Sequence, residues 1–341
     1  MHELPFQRPT EFFANSVPWC YRPFTMNEVS RRDIVRTIGA AGALAALSPS
    51  KLFAGKSDSK PMQLYKSMSD EQRAKVCLPV DHADRQKVTN WWYIHRDHRI
   101  HNTFNNDQQE LIQQIFDSLH NPEYAAAINK QVKKDQYGQA KNTPAIGFFG
   151  TPADKNFEFL YTGHHVTRRC NAHTDKGLGF GGGPVFYGHF DKKFRETPEH
   201  IGNPYWYQGL IFNDFIQALD GKQQAQALAG ASPRSERLKN IVAKKQAGWD
   251  GLAVSELSKD QQQQLMQTMR RMLEMFRQDD VDATLKTIEK HGVDRLHVAC
   301  YDGKFDLGKD KEWDTWQIEG PEMVWYFRGY PHIHTYFHVK A

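Results

Sequence analysis

The segment that most constrains the fold lies close to the C-terminus, from Trp313 to His338, and is rich in aromatic and β-branched residues. Turn-forming residues divide it into three short runs, at Gly320-Pro321 and again around Gly329. Short runs of this composition, bounded by Gly and Pro, are typical of strands joined by tight turns. The sequence therefore predicts an antiparallel meander here.

The last predicted strand carries three histidines of equal parity, His332, His334 and His338. Because side chains two residues apart on a strand point the same way, their imidazoles are expected on one face. Another pair, His164 and His165, lies on a predicted aromatic strand far upstream. We predict that the fold brings the two strands together and that their histidines bind a metal.

The expected ligand set has three members. Adjacent strand residues face opposite sides, so only one of His164 and His165 is expected to join His332 and His334. Three histidines leave one position of a catalytic metal open, and imidazole suits a divalent transition metal such as zinc, copper or iron. His338 would lie about 13 Å from His334 along an extended strand, too far to share the ion. The alternative is a merely polar face, or histidines satisfied by backbone carbonyls.

Four charged residues near these histidines are candidates for chemistry. Glu319 and Glu322 flank the Gly-Pro turn. One of them could orient a ligating histidine or act as a general base, and the alternative is a solvated turn. Arg168 and Arg169 straddle their predicted strand, so one could bind a substrate carboxylate or phosphate while the other is solvated.

The N-terminal region has the pattern of an export signal. Arg31 and Arg32 precede a weakly apolar segment rich in Gly and Ala, residues 37–47. This combination is typical of a twin-arginine signal, with cleavage expected after Ala54, although an amphipathic helix start is the alternative. Translation could begin at Met26. The expected partner is the twin-arginine translocation machinery, and the expected location is the periplasm or outside the cell.

The sequence divides into a leader, 1–54, a Gly-, Ser- and Lys-rich linker, 55–61, and one large domain, 62–341. Helices are predicted at 107–119, 122–134, 205–219, 223–230, 236–247, 258–276 and 281–290, and strands at 90–94, 144–149, 157–172 as a pair, 296–301 and in the meander. Strands do not alternate with helices. This pattern predicts an α+β fold, with helices packed on a largely antiparallel sheet.

Composition excludes several other classes. The net charge of +4 is spread along the chain, without a basic stripe interleaved with aromatics, so no nucleic-acid partner is expected. Outside the leader, no apolar run is long enough for a stable membrane span. Gly177, Gly179 and Gly182 match a dinucleotide-binding spacing, but Pro184 follows where a helix is needed. Three cysteines remain after the expected cleavage, so at most one disulfide can form within the chain.

Several short motifs together are similar to one known family. They are Met68–Arg73, Asp81–Arg85 before Asn90-Trp91, Gly150–Pro152, Gly163–His165, Gly183–Gly188, Leu257–Gln261, Ile318–Pro321 and His332–His334. In this order the chain resembles the bacterial family described as domain of unknown function 3500, over roughly residues 65–340. The resemblance implies no settled activity, so it supports the site and leaves the reaction open.

Three classes of function fit the pattern. In an exported metal-dependent enzyme, the metal would activate water, or bind oxygen if it is copper or iron. In a non-catalytic periplasmic binding protein, the histidines and aromatics would hold a small ligand or sequester metal. In a structural surface protein, the histidine strand would be merely polar. The sequence does not identify the small-molecule ligand.

Overall fold

One sheet organises the part of the chain that the structure, a computed structural model, describes, which is residues 58–174, 180–189, 203–231, 247–302, 315–329 and 332–340. Its strands are β1 (Cys77–Leu78), β2 (Ala145–Phe149), β3 (Glu158–Gly163), β4 (Val166–Asn171), β5 (Val185–Gly188), β6 (Leu228–Ala231), β7 (Leu252–Ala253), β8 (His297–Asp302), β9 (Thr315–Gly320), β10 (Met323–Arg328) and β11 (His334–Val339). Their order is β1-β2-β3-β4-β5-β11-β10-β9-β8-β6, with β7 beside β8. All pairs are antiparallel except β1–β2 and β6–β8.

Helices accompany this sheet. They are α1 (Lys60–Ser67), α2 (Asp70–Val76), α3 (Ile100–Thr103), α4 (Asn106–Ser118), α5 (Pro122–Lys134), α6 (Tyr207–Gln217), α7 (Gly221–Ala227), α8 (Lys259–Met272) and α9 (Gln278–His291). Apart from the short α3, they have buried apolar residues that join the core; Phe116 of α4, for example, lies 4.5 Å from Tyr161 of β3, measured between ring centroids. The predicted α+β fold with a largely antiparallel sheet is confirmed.

Strong local signals set the helix boundaries. At the start of α8, the Ser258 hydroxyl accepts from the amide N–H of Gln261, whose side chain accepts in return from the amide N–H of Ser258. Such reciprocal bonds satisfy amide groups that have no partner inside the helix. Pro122 opens α5, where a residue without an N–H loses nothing. The predicted helices around 107–119 and 122–134 are confirmed, because local signals of this kind lie within their own sequences.

Two predicted elements differ from the structure, one in its end and one in its type. The predicted helix at 223–230 ends at Ala227, and the chain continues as β6 beside β8. The predicted strand at 90–94 is no strand, and only Trp91 forms an isolated bridge, to His164. The predicted leader, nearly all of the predicted helix at 236–247, and Gly177 and Gly179 of the dinucleotide-like spacing lie outside the described residues.

The middle of the sheet joins distant parts of the sequence. The hairpin of β3 and β4 lies beside β5, and β5 in turn lies beside β11 of the C-terminal meander. Val166, at the start of β4, pairs with Tyr187 of β5, and Gly188 at the end of β5 pairs with His334. Residues just before β4 and at the start of β11 therefore lie at one end of neighbouring strands.

The C-terminal meander is confirmed, and its aromatic side chains form core rather than a surface. Trp316 of β9 stacks on Phe327 of β10, with ring centroids 5.0 Å apart, and Trp325 contacts Phe337 at 4.8 Å. Among the described cysteines, none forms a disulfide. No helix in the described ranges is long and apolar enough to cross a membrane.

Candidate metal centre

The upstream histidine pair occupies the turn of the β3–β4 hairpin. His164 and His165 connect Gly163 to Val166, and His165 adopts a φ of 56°, a left-handed conformation. Their rings stack with centroids 4.0 Å apart. The expectation that they face opposite sides of a strand is wrong, because a turn residue with positive φ does not follow strand alternation.

The C-terminal pair lies across from this turn. His334 is the first residue of β11, whereas His332 lies in a bend before the strand, so its predicted place on the strand is wrong. The Nε2 atom of His334 lies 3.0 Å from Nε2 of His165 and 2.9 Å from Nε2 of His332. The fold thus brings together histidines from the two groups that the sequence predicted to converge, and these three could hold a metal.

Asp135 orients the ring of His165 through its other nitrogen. Its Oδ2 accepts from Nδ1–H of His165 at 2.7 Å, and also from the amide of Gln131 at 2.7 Å. With Nδ1 protonated, the Nε2 lone pair of a neutral His165 points to the other two rings. A carboxylate behind a ligating histidine fixes its tautomer and increases its basicity. His164 forms a second possible metal group with Asp135 and His165.

Burial keeps the three rings neutral. Burial is the main cause that holds the pKa values of His165 and His334 well below their ordinary value. Burial is the main cause that lowers the pKa of His332 to about 3, followed by electrostatic effects of His165 and Arg328, which disfavour a second positive charge beside them. The pKa of His164 is also lowered by burial, although Asp135 opposes the shift. Neutral imidazole is the form that binds metals.

A glycine makes the close approach of the rings possible. A Cβ at Gly188 would overlap the carbonyl oxygen of Ile333 and would lie 3.3 and 3.4 Å from Cδ2 of His165 and His334. Position 188 therefore requires a glycine. The signal was present in the sequence, in the motif that ends at Gly188, but only the strand pairing shows which rings it accommodates.

Two of the three distances between the nitrogens are close to those around a tetrahedral ion, and all three nitrogens lie within 4.8 Å of one another. Metal–nitrogen bonds of about 2.05 Å at tetrahedral angles place the ligand atoms about 3.3 Å apart. The separations of His334 from His165 and from His332, 3.0 and 2.9 Å, are slightly shorter than this. The donor set of neutral nitrogens suits zinc, copper or iron and does not choose among them.

Both predicted glutamates lie away from this centre. Across the meander, Glu319 is level with His338, whereas His334 is level with Thr315. Four residues of β9 separate those levels, about 13 Å along the strand. Glu322 lies in the turn at the same distant end. The prediction that one of the glutamates orients a ligating histidine is therefore wrong, and the register also separates His338 from the centre.

The two arginines are both buried, so the prediction that one is solvated is wrong. Arg169 is 1% exposed, and its three nitrogens donate to Glu158, Pro184 and Lys87. Arg168 is also 1% exposed, donating to Nε2 of His120. These bonds tie the hairpin to its surroundings, and burial separates both guanidinium groups from a substrate in solution.

Two residues near the centre were not predicted. Asp135 follows a helix as an isolated carboxylate, without any spacing that relates it to the histidines. Arg328 precedes the last turn of the meander, and its charge contributes to the lowered pKa values of His165, His332 and His334. Its position at the end of β10, level with His334, was the one available signal.

Fold and site together define a class, that of single-domain α+β proteins with a buried histidine cluster that could hold a metal. Residues 58–340 match the family described as Protein of unknown function (DUF3500), which covers most of the chain, and the protein belongs to that family. The resemblance is therefore confirmed. Comparisons with curated proteins and with solved structures gave no match.

Proposed function

We propose that this protein is an exported, metal-dependent enzyme whose ion is held by His165, His332 and His334. The observation that supports the proposal is the short distance from Nε2 of His334 to Nε2 of His165 and of His332. On its other side, the ring of His165 forms a hydrogen bond with Asp135. Because Nδ1 of His165 donates to Asp135, its Nε2 has no proton when the ring is neutral. With neutral rings, no placement of protons on Nε2 of His332 and His334 gives both close nitrogen pairs their own hydrogen bond, whereas a cation satisfies three lone pairs at once.

The chain's own residues set up the chemistry of such a site. A bound divalent metal would polarise a substrate carbonyl or lower the pKa of a water in the open fourth position. Asp135 holds His165 in the tautomer that presents Nε2. The positive charge of Arg328 acts on all three rings and favours an anion, such as hydroxide or a substrate carboxylate, beside them.

Cobalt substitution tests both the ligand set and the open position. We expect metal-free protein to take up about one Co²⁺ per chain, with the absorption of a four-coordinate site, and His332→Ala to lose it. His291→Ala, at the end of α9, is the matched control and should bind normally. Added azide should change the spectrum if a position is open. An unchanged spectrum with azide would indicate a closed storage site instead of an enzyme.

Export is the part of the proposal that rests on the sequence pattern of the leader. Arg31, Arg32 and the weakly apolar segment after them support it. N-terminal sequencing of the protein from the periplasm of its host should begin near Gly55. A mature chain that retains the arginine pair would contradict processing.

A further inference from the structure

A basic groove lies next to the histidine centre. It has a volume of about 790 Å³ and runs between residues 91–102 and 141–142. Its lining includes Trp91, Tyr93, Arg96, Asp97, Arg99 and Lys141. A cavity of this size, with aromatic walls and a few polar groups, is typical of a small-molecule site.

Trp91 forms the aromatic wall of the groove. The residue is 56% exposed, and Leu228 is the one other large apolar residue among the described ones that is exposed. One face of the indole stacks on His164 with ring centroids 4.6 Å apart, and His164 stacks on His165. The amide of His165 also donates to Asn90, which fixes the backbone beside the indole. The indole is therefore held in place, and only the ring of His164 lies between it and the proposed ligand His165.

Arg99 provides a buried positive charge in the same groove. Only 6% of the residue is exposed, and its guanidinium lies 3.4 Å from the ring centroid of Tyr93. Within the described part of the chain, its Nε and Nη1 have no hydrogen-bond partner. Buried polar groups without partners are unfavourable, so an acceptor supplied by a ligand would stabilise this side chain. The stacking on Tyr93 holds the guanidinium while leaving N–H groups for an acceptor.

The charges of the groove indicate the sign of that ligand. Arg96, Arg99 and Lys141 line it, and Asp97 is its one carboxylate among the described residues. The excess of cations attracts anions, and a guanidinium fork matches a carboxylate well. The exposed indole adds a flat surface for an apolar ring face.

We propose that this groove binds a small carboxylate whose ring stacks on Trp91 while its acid group pairs with Arg99. The ligand class is a carboxylated ring, either an aromatic acid or a uronic sugar. The idea that this ligand is the substrate of the histidine centre rests on the proposed function. The binding of the ligand to the groove does not depend on it.

The proposed ligand class is tested by comparing the binding of acids with that of matched neutral compounds. The full mature protein is titrated calorimetrically with benzoate and galacturonate, and with benzyl alcohol and galactose as neutral counterparts. We expect at least one acid to bind about tenfold or more tightly than its counterpart, because a charge-assisted bond is lost in the neutral compound. The acid that binds identifies the source. Binding of neither acid, or equal binding of acid and neutral compound, would overturn the proposal.

Two variants test the residues. Arg99→Met keeps the length of the side chain over Tyr93 and should weaken the acid about ten- to hundred-fold. Trp91→Ala, at an exposed position, should weaken it several-fold without threatening the fold. Arg270→Met on α8 is the matched control and should bind like the wild type. Thermal unfolding verifies that each variant is folded. Unchanged affinity in folded Arg99→Met or in Trp91→Ala would overturn the assignment.

The same titrations on metal-free protein and on His332→Ala separate the two proposals. Acid binding without metal, together with failure to load cobalt, would contradict the metal centre and leave the groove intact. Normal cobalt loading without acid binding would contradict the groove alone.

Discussion

Asp135 shows how a single residue can determine the properties of the whole centre. It lies just past the end of α5, fully buried, and accepts from both His165 and Gln131. Without the carboxylate, His165 could adopt the other tautomer and present a proton instead of a lone pair. The main role of the carboxylate is therefore to decide that Nε2 of His165 presents a lone pair, and its effect on where Nε2 lies is secondary.

We expect Asp135→Asn to lower metal affinity about ten- to hundred-fold, as is typical for groups that orient a ligating histidine. Titration with Zn²⁺ against a competing chelator measures the change. Asp282→Asn, at an exposed ion pair with Arg270, is the control and should bind like the wild type. Equal affinity of the Asp135 variant and the wild type would show that the carboxylate has no role in orienting the ligand.

The metal-free protein should lose stability as pH falls below about 6.5. Burial lowers the pKa values of His120, His165 and His334 in the folded state, whereas unfolded histidines titrate near 6.5. The unfolded chain therefore takes up protons first, and each such histidine costs up to about 1.4 kcal/mol per pH unit. Urea unfolding between pH 7 and pH 5 measures the slope. His334→Gln should show a smaller slope, and stability that rises on acidification would contradict the account.

The identities of the histidines could be predicted from the sequence, but their geometry could not. Two histidine groups on aromatic strands are visible in the sequence, and His165, His332 and His334 do come together. The left-handed turn at His165 depends on how the hairpin closes, which a strand pattern does not specify. Asp135 has no sequence signal, because its role depends only on where α5 ends in space.

Among the elements, β5 is the one that connects the two halves of the centre. It lies between β4 and β11, and its last residue, Gly188, leaves room for the rings of His165 and His334. Gly188→Ala should lower the free energy of unfolding by about 1–3 kcal/mol through overpacking, and should weaken metal binding. Urea unfolding and chelator competition measure the two effects. Gly221→Ala, whose Cβ would meet no atom within 4 Å, should be neutral or slightly stabilising.

The β3–β4 hairpin depends on a buried ion-pair network. Glu158 of β3 accepts from Arg169 at 2.6 Å and from Arg85 at 2.9 Å. Glu158→Gln should cost about 3–5 kcal/mol, because it leaves the buried guanidinium of Arg169 without its counter-charge. Thermal or urea unfolding measures the loss. Glu71→Gln on the exposed face of α2 should have no resolvable effect, and a similarly small effect at Glu158 would contradict the network.

Local signals explain which elements could be predicted. Helices α4, α5 and α8 have N-terminal caps and apolar periodicity within their own residues, and the meander has its own turns. The predicted helix at 223–230 is cut short because β6 gains pairing with β8, far along the chain. The segment at 90–94 has strand composition, but it packs over the hairpin turn without joining the ladder.

At the scale of the whole molecule, the sheet order places residues about 170 positions apart in contact. The early hairpin and the late meander meet through β5, and the centre and the groove both lie at the turn of that hairpin. No local pattern predicts this order, because long-range strand pairing depends on the complete set of faces to be buried. The fold class was predictable, whereas the neighbours of each strand were not.

Elemental analysis of the mature protein, purified from its host beside His334→Ala, tests the central claim most directly. His334 is the nitrogen within 3.0 Å of both other ligands, so its removal disrupts the set. We predict about one transition-metal ion per wild-type chain and essentially none in the folded variant. A wild-type protein without metal, or equal metal content in the two proteins, would contradict the account.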